Sequence, residues 1–123
     1  MTVLVERPQV IKRGGRSWTK ACPLESLLPG RGVAVLLPSG DQVALFLLSD
    51  HTLAAVSNID PFGRAAVMSR GITGDRNGEP TVASPLLKQI FSLRDGRCLD
   101  DESRSLTVYD IQVTNGIVEI AGA

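Results

Sequence analysis

Asn58-Ile59-Asp60-Pro61-Phe62 and Ser84-Pro85-Leu86-Leu87 are the two stretches on which the reading of this chain turns. Each places an oxygen-bearing side chain before a proline and carries a bulky apolar residue at its tip. Pro61 and Pro85 lower the conformational entropy lost when each loop is ordered. The 21 residues between the loops, 63–83, are rich in Gly, Arg and turn formers.

Working outward, the flanking chain alternates short apolar runs with turn signals. Residues 1–16 read as a flexible arm: Arg7-Pro8 and Lys12-Arg13-Gly14-Gly15-Arg16 follow a brief Val3-Leu4-Val5 run. The folded domain is expected over residues 17–121. Residues 17–21 suit a first strand, and Pro23 opens one or two helical turns that Pro29-Gly30 stops. Residues 32–37 and 42–48 form a hairpin across Pro38-Ser39-Gly40-Asp41. In its second arm Val43, Leu45 and Leu47 alternate with Ala44, Phe46 and Leu48, so that strand is expected to be covered on both faces. Residues 52–57 lead as a strand into the first loop, and Asn77-Gly78 supplies the positive φ values of a tight turn before the second. Residues 88–94, 107–113 and 117–120 read as later strands, with turns at Asp95-Gly96 and Asn115-Gly116. Many short strands and almost no helix give an all-β antiparallel sandwich or small barrel with one short helical turn.

Composition excludes several functions. At 123 residues the chain is one domain, and 43% hydrophobic content suffices for a core. Thirteen basic residues balance thirteen acidic ones, so no overall field draws nucleic acid or an anionic membrane. No apolar run approaches the ~20 residues of a membrane span, and Glu6 breaks the N-terminal run too early for a secretory signal. A cytoplasmic protein is expected. Cys22 and Cys98 are expected as reduced, buried thiols. His51, the sole histidine, sits in a turn with no nucleophile or acid at a readable spacing. No catalytic residue is expected in this chain.

The layout of the two loops resembles a Rieske iron–sulfur domain, in which a Cys-Pro-His loop and a Cys-Pro-x-His loop clamp a [2Fe–2S] cluster. Two thiolates hold one iron and two imidazoles the other. On that resemblance Asp60 and Phe62 stand at the first Cys and His positions, and Ser84 and Leu87 at the second. Asp60 and Ser84 are poor substitutes for soft thiolates, and Phe62 and Leu87 have no donor atom. One histidine cannot supply two, and neither cysteine lies in a loop. No metal is expected here.

A closer resemblance follows from the Asp-Pro-Phe loop, Ser69-Arg70-Gly71-Ile72, Gly74-Asp75-Arg76, Val82-Ala83-Ser84-Pro85 and Gly96-Arg97-Cys98-Leu99-Asp100. Over residues 16–120 the chain is similar to the small subunit of assimilatory NAD(P)H-dependent nitrite reductase. That resemblance implies an accessory subunit without a cofactor, partnered by a large subunit that carries FAD, a [4Fe–4S] cluster and sirohaem and reduces nitrite to ammonium. It implies no nucleic-acid or membrane partner. Three arrangements are open for Phe62 and Leu87: packing within the fold to fill the vacated place, forming with Pro61, Pro85 and Leu86 a contact patch for the large subunit, or serving as loop filler without a partner. The competing function is an independent protein- or ligand-binding module on a degenerate Rieske fold.

Overall fold

The structure, a computed structural model, describes residues 9–122. Ten strands follow in order: β1 (Val10–Arg13), β2 (Arg16–Pro23), β3 (Gly32–Leu36), β4 (Gln42–Leu47), β5 (Leu53–Ser57), β6 (Ile72–Arg76), β7 (Glu79–Ala83), β8 (Ile90–Ser92), β9 (Ile111–Thr114) and β10 (Ile117–Ala121). Single 3-10 turns occupy Leu24–Ser26 and Met68–Arg70. All strand pairings within the three sheets, β1-β2-β10-β9, β3-β4-β5 and β6-β7-β8, are antiparallel. Among the described residues no helix is long and apolar enough to cross a membrane.

The doubly apolar strand predicted from residues 42–48 lies at the centre as β4. Val43, Leu45 and Leu47 point into a core shared with Ala21 and Cys22 of β2 and with Val118 and Ile120 of β10. Ala44, Phe46 and Leu48 point the other way, against Met68, Val82, Phe91, Leu93 and Leu106. The β3-β4-β5 sheet is therefore the middle layer, with the β2-β10 sheet on one face and the β7-β8 sheet on the other. Period-two side-chain alternation is what lets one strand feed two cores. Burying each side chain the size of Leu45 or Phe46 contributes roughly 1.5–3 kcal/mol. Cys22 belongs to the first core and Cys98 to the second; both are free and buried, and burial pushes the Cys22 thiol up. The second core supports the two loops.

Three expectations differ from the structure. Residues 1–8 lie outside the described residues, but residues 9–16 are not a loose arm: β1 pairs with β2 through a turn at Gly14 and Gly15, both at positive φ. A run of Lys, Arg and Gly reads as solvated, yet Arg13 is recruited by a buried acid on another strand. Second, the strand read over residues 88–94 shortens to β8, because Lys88 completes the second loop. Third, residues 107–109 leave the β9 ladder to cover the edge of β5. Ser57 N–H donates to the Thr107 carbonyl at 2.8 Å, and Tyr109 N–H to the Ala55 carbonyl at 2.9 Å.

The buried acid is Glu119 of β10, 1% exposed, beside a β-bulge in the pairing with β2. Burial raises its carboxyl pKa, but donors from Gln112 Nε2 at 2.7 Å, Arg13 at 3.3 Å and Thr114 Oγ1 at 3.4 Å outweigh that and hold it below the ordinary glutamate range. The unfolded chain then binds this proton more tightly than the folded one. The stabilisation is complete above the unfolded value and is lost as pH falls towards the folded one. In urea denaturation between about pH 6 and pH 3, Glu119→Gln is expected to decline less steeply than wild type. Parallel curves would contradict this assignment.

Candidate functional site

The two predicted loops come together at one end of the molecule, and their backbones repeat one another. Asp60 N–H donates to the Ala65 carbonyl at 2.9 Å, and Ser84 N–H to the Gln89 carbonyl at 2.9 Å. Arg64 N–H returns to the Asp60 carbonyl at 2.7 Å, and Lys88 N–H to the Ser84 carbonyl at 3.0 Å. Phe62 N–H donates to Asp60 Oδ1 at 2.8 Å, matched by Leu86 N–H to Ser84 Oγ at 3.3 Å. Arg64 and Lys88 each close a loop at left-handed φ, 57° and 61°. Asp and Ser suit these positions because their short side chains cap the backbone two residues on, and proline at the next residue presets the turn.

The loops are joined through their first residues. Ser84 Oγ–H donates to Asp60 Oδ2 in a short hydrogen bond, and both residues are buried. Asp60 Oδ1 accepts from Phe62 N–H and, at 3.2 Å, from Gly63 N–H, so both carboxyl oxygens are engaged. A second link lies at the tips, where Leu86 Cδ1 rests so closely over Gly63 that a Cβ there would sit 2.8 Å from it. Asn58 anchors the base of the first loop: its Oδ1 accepts from Ser69 N–H at 2.7 Å, and its carbonyl accepts from Val67 and Met68, each at 3.0 Å.

Phe62 and Leu87 take different courses. Phe62 turns inward onto Phe91, ring centroids 6.1 Å apart and tilted by 43°. Arg104 covers its other side, 5.9 Å from the ring centroid, and donates to the Pro61 carbonyl at 3.2 Å. Leu87 is 57% exposed and Leu86 47%, with Pro85 also exposed beside them and Pro61 half-buried. His51 is an exposed turn residue at φ 68°. An open groove lined by Asp50, Thr52, Thr73, Asp75 and Arg94 lies elsewhere and contains none of the loop residues.

Sequence reading missed the Asp60–Ser84 bond and the part played by Arg104. The first had a signal: two residues at the positions of thiolates that share an iron must be neighbours, and a carboxyl beside a hydroxyl will hydrogen-bond. Arg104, 40 residues beyond the first loop, had none.

The donor set does not fit a [2Fe–2S] cluster. At the four positions that the resemblance assigns to ligands, Phe62 and Leu87 offer only hydrocarbon, and Asp60 and Ser84 offer hard oxygens already hydrogen-bonded to one another. Among the described residues no three His, Cys, Asp or Glu side chains gather as a metal site. The buried side-chain polar atom found without a partner is Gln89 Oε1, an amide oxygen rather than a soft donor.

Three antiparallel sheets with paired proline loops at one end define a Rieske-like domain, and the family described as Rieske-like [2Fe-2S] domain matches residues 17–121. The relatives narrow this. The nitrite reductase (NADH) small subunit of Salmonella typhimurium is 47% identical over 107 residues, covering 85% of this chain and 97% of that one. A crystal structure from Mycobacterium tuberculosis, described as an NADH-dependent nitrite reductase small subunit, superposes with TM-score 0.84 at 55% identity, covering 88% and 96% of the two chains. This chain belongs to the nitrite reductase small-subunit family of Rieske-like domains. A third relative, the nitrite reductase [NAD(P)H] large subunit of Klebsiella oxytoca, is 39% identical over 103 residues, which are 84% of this chain but 11% of that protein.

Proposed function

We propose that this chain is the cofactor-free accessory subunit of an NAD(P)H-dependent nitrite reductase. Its partner is a large subunit carrying FAD, a [4Fe–4S] cluster and sirohaem, on which nitrite is reduced to ammonium in the cytoplasm. The carrying observation is the hydrogen bond between Asp60 and Ser84 at two ligand positions that a cluster would need as thiolates. The loops are held by protein atoms: Asp60 and Ser84 fasten the bases, Phe62 fills the interior against Phe91, and Leu86 closes the tips. The chain's work on this reading is to present a stiff, preformed surface to the subunit that reduces nitrite.

Affinity purification of this chain from nitrate-grown cells, followed by metal analysis of the chain alone, tests the proposal. A large flavin- and sirohaem-containing protein is expected to accompany it, and the separated small chain is expected to be colourless and iron-free. Iron and sulfide in equal amounts on the isolated chain would overturn the cofactor-free assignment. Purification without any large redox partner would overturn the subunit assignment.

A further inference from the structure

We infer that the docking surface is the second loop and its surroundings: Leu86 and Leu87, extended by Pro85 and Ile72 and flanked by Arg64 and Lys88. This inference rests on the subunit reading above. Its occupant is the large subunit, which offers an apolar depression edged with carboxylates. Ile72 is 76% exposed on β6, directly opposite Ala83, the residue before the second loop. Leucine and isoleucine this exposed lie on adjoining segments, and exposed apolar residues gathered in one region of a surface mark interaction sites.

Two further observations favour docking here. The patch is preorganised, because backbone bonds and the Asp60–Ser84 link hold the loop carrying Leu86 and Leu87, so little ordering entropy remains to be lost on association. It is also edged by positive charge. Arg64 and Lys88 occupy equivalent positions closing the two loops, are exposed, and have no carboxylate partner among the described residues. The carboxyl within the loops, Asp60, is buried. In the neighbouring segment Asp100 accepts from Ile90 N–H and lies 3.9 Å from Arg76, while Asp101, which accepts from Ser103 N–H, and Glu102 have no ion-pair partner among the described residues. An apolar centre with cations at its margin fits a partner of complementary charge, and such a margin chiefly sets the association rate. The Klebsiella protein supports the choice of occupant: there, a stretch matching most of this chain is carried within a polypeptide named as the large subunit.

Binding of the full-length chain to its purified large subunit provides the test, measured kinetically at several salt concentrations with the thermal midpoint of each variant. Leu87→Ser, which spares the Leu86 contact over Gly63, is expected to weaken binding at least tenfold with the thermal midpoint unchanged. Arg64→Asn/Lys88→Asn is expected to slow association and flatten its salt dependence; asparagine tolerates left-handed backbone, so the loops should hold. Val10→Ser/Val113→Ser, on exposed positions of another sheet, should bind as wild type. Undiminished binding by the leucine variant, or loss of binding by the valine variant instead, would overturn the surface while leaving the subunit reading intact. Failure of the wild-type chains to associate would sink both.

Discussion

Asp60→Ala should cost this domain roughly 3–5 kcal/mol of folding stability, a large share of what a domain this size possesses. Asp60 is fully buried and accepts from Phe62 N–H, Gly63 N–H and Ser84 Oγ–H. Alanine leaves two backbone donors and a hydroxyl without their acceptor, and an unsatisfied buried polar group costs about 1–3 kcal/mol. The loss should be graded. Ser84→Ala strands only one carboxyl oxygen and should cost about 1–3 kcal/mol. Asp60→Asn keeps Oδ1 for the two backbone donors and turns an amide N–H towards Ser84 Oγ, so it should fall well short of alanine. Urea denaturation of wild type, Asp60→Asn and Asp60→Ala should give midpoints falling in that order; equal midpoints for the last two would mean the carboxyl does not join the loops. Asp60→Ala/Ser84→Ala should cost less than the sum of the single changes, because the two residues share one bond.

The sequence carried the loops as positions but not their bonding. Strand β4 was legible because alternate residues on both faces are apolar, and the β6–β7 turn because Asn77-Gly78 supplies φ of 53° and 85°. Both signals are local. What escaped depends on contacts between distant segments. Val10–Arg13 became a strand because β2 offered an edge and Glu119, over a hundred residues away, offered Arg13 a partner. Residues 107–113 alternate well enough to read as one strand, yet pairing with β5 claims the first three and β10 claims the last. The different courses of Phe62 and Leu87 were equally hidden. Both are apolar tip residues, and only the position of Phe91 beneath one of them decides which packs against the core.

The third segment of the site depends on a glycine, and Gly96→Ala is expected to be as damaging as the loss of Asp60. Gly96 ends the Asp95-Gly96 turn at φ 81°, where an L side chain is strained by roughly 1–2 kcal/mol. A Cβ there would lie 2.0 Å from the Leu106 carbonyl oxygen and 3.0 Å from its carbon, both backbone atoms that cannot rotate aside. The carbonyl of Gly96 also accepts Leu106 N–H at 2.8 Å, so moving the strand apart to admit the methyl breaks the bond that fixes residue 106. Leu106 is buried in the second core, and the same segment carries Arg104 over Phe62. The combined strain and lost bond should remove about 3 kcal/mol or more. Because the displaced segment caps the first loop, hydrogen exchange at Phe62 and Gly63 should rise in the variant while exchange in β2 and β10 changes only with global stability. Arg104→Ala, which removes the cap without moving the backbone, should raise exchange at the same amides with a loss of less than about 1 kcal/mol. If Gly96→Ala accelerated exchange evenly across all three sheets, residues 96–106 would be part of the general framework rather than a separate brace on the loop.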